Sequence, residues 1–109
     1  MYSIKPCTPE AKEKAKFRQS SAWLKFRAYL KKKRKIDEIT EKPLYKGFQV
    51  HHLDMSIENY RELKEENFRT YNRTTHEFIH WLYKYPNWKK VIDNIVRDLT
   101  EMDRLNKKQ

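Results

Sequence analysis

Cysteine is almost missing: Cys7 is the only one in 109 residues, which excludes an internal disulfide and a cysteine-built zinc site. Glycine occurs once and proline four times, so few positions punctuate regular structure. No apolar run approaches the roughly 18 residues that a membrane span requires. The opening MYSIKPCTPE lacks the apolar stretch of a secretory signal, so a cytoplasmic location and no membrane partner are expected. Hydrophobic residues make up 38% and charged residues 37%, which predicts one domain with a small core and a highly charged surface.

The charge is unevenly placed. The chain carries +10 at pH 7, and residues 1–35 hold 12 Lys/Arg against Glu10 and Glu13, so the whole excess lies there. Lys31, Lys32, Lys33, Arg34 and Lys35 are consecutive. Such a one-sided field attracts a polyanion and releases its counterions, although a solvated helix end has the same composition.

Thr8-Pro9-Glu10-Ala11 reads as a helix start, with Thr8 as N-cap and Pro9 in the first turn. Nothing obvious breaks a helix from there to Arg34, so residues 8–34 are expected to form one long basic helix. Its Trp23, Phe26 and Leu30 share a face and are read as core contacts. Pro43 and Gly47 bracket a turn, after which Phe48–Leu53 reads as a short strand. Alternation puts Phe48, Val50 and His52 on one face, with Gln49, His51 and Leu53 on the other. Residues 56–66 read as an irregular loop with a helical turn near 60–63. A helix is expected over 72–83, ended by Pro86, and another over 87–105. In the last, Trp88, Ile92, Ile95, Leu99 and Met102 recur at spacings of four and three. This stripe suits packing against the N-terminal helix or a homodimer seam.

All four histidines fall in two pairs, His51-His52 and His76-x-x-x-His80. Residues four apart on a helix share a face, so His76 and His80 can ligate one ion. His51 and His52 point to opposite sides of their strand and cannot be equivalent ligands. One imidazole on a metal and one free to take a proton is the chemistry that phosphodiester hydrolysis needs.

The segment Asp37-Glu38-Ile39-Thr40 … Pro43-Leu44 … Val50-His51-His52-Leu53 … Asn67-Phe68-Arg69-Thr70-Tyr71-Asn72 … His76-Glu77-Phe78-Ile79-His80 resembles the HNH endonucleases of phage and mobile elements. The likeness covers about residues 22–83, with Trp23 and Arg27 in a similar lead-in helix. It implies a mostly helical α+β fold: a ββα-metal core over 36–83, flanked by the basic helix and the C-terminal helix. It also implies that His51, His76 and His80 ligate one divalent ion (Mg, Mn, Ni or Zn) and that His52 is the general base. Asn67 would be the central Asn that orients the base through the loop backbone, with Asn72 the alternative if the register shifts. Asp54 and Glu77 are candidate acceptors for the ligating rings. For His80, phosphate contact or packing on Trp81 is the competing role. Arg69 and Arg73 would touch phosphate or pair with Glu65 or Glu66.

The chain departs from the family where many members carry two CxxC pairs around a structural zinc. Asp37, Thr40, Asn72 and Thr75 stand at those positions. A zinc-free core held by the terminal helices is the expectation.

The leading expectation is therefore a metal-dependent nuclease acting on DNA, with RNA as an alternative substrate, held on the backbone by Lys31, Lys32, Lys33, Arg34 and Lys35. For a phage-encoded chain the compartment would be the host cytoplasm. A nucleic-acid- or host-protein-binding phage factor on an inactive scaffold is the second reading. An interaction module working through the C-terminal stripe is the third.

Overall fold

The computed structural model describes residues 8–106; Cys7 lies outside them. The chain is α+β, with helices α1 (Pro9–Phe17), α2 (Ser21–Arg34), α3 (Arg73–Tyr83) and α4 (Trp88–Asn106) and strands β1 (Gln49–His52) and β2 (Phe68–Tyr71). Two compact units are separated inside α3, between Thr75 and His76.

The expected single N-terminal helix is two helices. α1 starts as anticipated, with the Thr8 hydroxyl accepting from the Ala11 N–H. It stops at Phe17, and a turn through Arg18 leads to Ser20, whose hydroxyl accepts from the Trp23 N–H and caps α2. Serine offers a starting helix the acceptor that its orphan N–H groups need, so Ser20 begins a new helix rather than continuing the old one. α2 ends in four consecutive basic residues, favourably placed at the negative end of the helix dipole. Lys35 closes it at φ 67°.

β1 and β2 pair antiparallel, with His52 opposite Phe68 and His51 opposite Arg69. The alternation expected for β1 holds: Phe48 and Val50 join Trp23, Leu30 and Phe68 in the core, with Phe17, Phe26, Leu44 and Leu63 packed around it. Aromatic edges do much of the packing, Phe26 lying 4.9 Å from Phe68 at 66° and Trp23 5.7 Å from it.

The segment between α2 and β1 is held by two carboxylates. Asp37 is fully buried; its Oδ1 accepts from the N–H groups of Ile39 and Thr40, and its Oδ2 from that of Asn72. Thr75 adds a side-chain hydrogen bond. Glu38 runs along β2, donating its N–H to the Thr70 carbonyl and accepting from the Thr70 N–H and hydroxyl. Thus Asp37, Thr40, Asn72 and Thr75 are joined by hydrogen bonds centred on one carboxylate.

In the second unit, Leu82 of α3 is buried, but no α4 side chain is. Val96, Leu99, Met102 and Leu105 are each more than half exposed. Along the C-terminal stripe Trp88, Ile92 and Ile95 are half-buried and Leu99 and Met102 exposed, while the core of the first unit is drawn from α2, β1, β2 and their flanks. No described helix is long and apolar enough to cross a membrane.

Candidate metal centre

β1 carries His51 outward from the core face, and β2 feeds directly into α3, whose first turn carries His76 and whose last turn carries His80. Asp37 anchors that junction through the Asn72 N–H and Thr75, immediately before His76. His76 and His80, four apart on α3, share a helical face, and His51 is the third ring of the expected set. The Nε2 atoms of His76 and His80 are 3.1 Å apart. Two imidazoles on one tetrahedral ion stand about 3.3 Å apart, given metal–nitrogen distances of about 2.0–2.1 Å. Burial, reinforced by the neighbouring His80, lowers the pKa of His76, keeping its ring in the neutral form that ligates. An all-imidazole set suits zinc or nickel better than magnesium or manganese, which prefer oxygen donors.

His52 does not join the group. Its ring is buried, stacked at 4.0 Å and 3° on Tyr60 and at 5.0 Å and 19° on Trp23. Arg18 donates to the Tyr60 hydroxyl at 2.7 Å and so fixes this cover. Burial pushes the His52 pKa down to about 4, helped by Arg18 and Lys14 and opposed by a hydrogen bond to the Tyr60 backbone and by Asp54. Nε2 has no hydrogen-bond partner, so the backbone bond falls to Nδ1 and the lone pair sits on Nε2. The ring is a neutral imidazole of defined tautomer.

This burial has a consequence for stability. The unfolded chain protonates His52 near pH 6.5 and the folded chain only near 4. The unfolded state thus binds more protons between those values, and stability falls as pH drops through that window, by about 3 kcal/mol for this ring. His52→Phe preserves the stacking and removes the proton. Urea unfolding in chelator should show a flatter pH profile for the variant between 6.5 and 4; parallel profiles would contradict the dry ring.

Asn67 sits at the end of a single 3₁₀ turn, Glu65–Asn67, and its carbonyl accepts from the Leu53 N–H beside His52. Asn72, the alternative, is buried; its side chain accepts from the Tyr45 N–H and donates to the Pro43 carbonyl, holding the preceding loop. Asp54 is committed to Ser56 and Asn59.

The basic run divides. Lys31, Lys32 and Lys35 are exposed and line, with Lys25, Ala28 and Tyr29, an open groove along α2. Lys33 is exposed but paired with Glu65 at 2.6 Å. Arg34 is engaged internally: its guanidinium donates to the Phe68 and Glu65 carbonyls at 2.6 and 2.7 Å and to Glu38 at 3.0 Å. It ties α2 to β2 because the last turn of α2 lies against that strand's start. Arg69 donates to the backbone carbonyls of Glu66 and Phe68 rather than to a carboxylate. Arg73 is exposed at the start of α3.

Several of these roles leave only a faint trace in the sequence. Asp37 followed three residues later by Thr40 is a turn signature that points to a carboxylate capping backbone N–H groups. The cover that Tyr60 makes over His52 has no local signal. Compared with family models, curated proteins and solved structures, the chain matches none.

Proposed function

We propose that the chain is a metal-dependent endonuclease of the HNH type that hydrolyses DNA phosphodiester bonds. The observation that carries this reading is the approach of the His76 and His80 Nε2 atoms to 3.1 Å on one face of α3, close to the separation of two ligands on one ion. In this reading the three imidazoles hold one divalent ion within a ββα-metal core. When bound, such an ion supplies stabilisation of charge on the phosphate and on its leaving oxygen. His52 offers the Nε2 lone pair that accepts the proton of the attacking water, once its ring is released from behind Tyr60. Asn67 holds the end of β1 through the Leu53 N–H. Lys31, Lys32 and Lys35 grip the nucleic-acid backbone without reading sequence.

The enclosure of His52 between Tyr60 and Trp23 favours a second reading, a nucleic-acid-binding protein on a scaffold that does not turn over. Incubation of supercoiled plasmid and of single-stranded RNA with the purified chain, in manganese, nickel, zinc or magnesium and again in EDTA, separates the two. Nicking that requires the ion and is lost in His51→Ala is expected. Salt-dependent retention of DNA with no nicking under any ion would replace the enzyme with the binder.

A further inference from the structure

The apolar stripe of α4 lies outside the proposed active site, and its geometry points to a use independent of that activity. We propose that α4 pairs antiparallel with α4 of a second copy of this chain. The helix is about 28 Å long at 1.5 Å per residue, and no side chain along it is buried. Trp88, Ile92, Ile95, Leu99 and Met102 repeat as the seam of a two-stranded coiled coil, and Val91, Val96 and Leu105 widen it on both sides. The stripe runs into a hollow of about 210 Å³ lined by Ile79, Leu82, Tyr83, Trp88 and Ile92.

The charges beside the seam select the partner and its direction. With Ile92 and Leu99 in one set of seam positions and Ile95 and Met102 in the other, Lys89, Val96 and Asp103 flank one side. Val91, Asp98 and Leu105 flank the other. Parallel pairing sets Asp98 against the partner's Asp103, twice, and both contacts repel. Antiparallel pairing stacks Ile92 on the partner's Met102 and Ile95 on the partner's Leu99. It sets Lys89 against the partner's Asp103, twice, and both contacts attract. Val96 then meets the partner's Val96, and Val91 meets the partner's Leu105. One like-charged contact remains, Asp98 with the partner's Asp98, and Arg97 already pairs with Asp98 at 3.0 Å. The partner's Met102 also falls beside Ile92 at the hollow, where a flexible thioether fills irregular space.

A lipid surface fits less well. Membrane-lying helices carry Lys and Arg along the polar face, whereas that of α4 includes Asp93, Asp98, Glu101 and Asp103. The match of the stripe to itself under a two-fold axis favours a second copy over a different chain.

Sedimentation of the full chain at 5–100 µM (about the range in which weak dimers dissociate) tests the proposal. The wild type is expected to sediment at twice its 13.5 kDa mass, and Ile95→Asp with Leu99→Asp as a monomer of unchanged helicity. Lys89→Glu and Asp103→Lys are surface changes that leave folding intact. Each alone should weaken the dimer about five- to tenfold by turning two attractions into repulsions. Combined in one chain they should restore it, because the two positions have exchanged signs and attract again across the seam. A monomeric wild type at 100 µM, or charge variants that dimerise like the wild type, would overturn the arrangement. So would binding to phosphatidylserine vesicles, lost in Leu99→Asp, by a chain that stays monomeric in solution.

Discussion

Replacing His76 with alanine is expected to lower affinity for zinc or nickel by at least about 100-fold. Changes to groups that merely orient a ligand already cost about 10–100-fold, and this change removes one of the three proposed ligands. The readout is direct on the protein: calorimetric titration at pH 7.5, with a thermal scan as its companion. An ion at 100 times its dissociation constant stabilises the fold that binds it by about 2.7 kcal/mol, which for a chain of this size raises the melting temperature by about 10 °C. His76→Ala should lose that rise and keep its melting temperature in EDTA, since His76 is only partly buried. A variant that still gains the full rise would remove His76 from the ligand set, and with it the reason for reading this corner of the molecule as a metal centre.

Asp37→Ala should be the most damaging single change to the fold. It leaves the N–H groups of Ile39, Thr40 and Asn72 without their acceptor at a position with no solvent exposure. Each buried donor so orphaned costs about 1–3 kcal/mol, so a loss of about 4 kcal/mol or more is expected from a total of about 5–15. Asp37→Asn, which keeps the shape but turns one acceptor into a donor, should fall between the two in urea midpoint. Burial opposes ionisation of Asp37, but the hydrogen bonds from Thr40, Thr75, Asn72 and Ile39 outweigh it and hold the pKa below its usual 3.8. Its contribution is therefore complete above pH 3.8 and lost as pH falls further, a window below the one assigned to His52. Equal midpoints for wild type and Asp37→Ala at pH 7 would show that the carboxylate does not hold the joint.

Much of the outline was legible because it follows from local rules. Proline and glycine marked the turn before β1, alternation separated Phe48 and Val50 from His51, and the i, i+4 spacing placed His76 and His80 on one helical face. What was not legible depends on tertiary neighbours. The break at Ser20 requires knowing that its hydroxyl meets the Trp23 N–H rather than water. Arg34 reads as one more cation in a basic run until α2 is laid against β2, when its fork meets two carbonyls and Glu38. The stack over His52 needs Tyr60, eight positions along an irregular loop, to fold back over the strand. The four positions where the resembling family has cysteines presented no zinc set, and the carboxylate-centred alternative became visible only once residues 37 and 72 were adjacent.

A carboxylate rather than an ion closes the junction ahead of α3. That joint is therefore expected to survive chelation, so that titrations of the proposed site with different ions would start from a common scaffold.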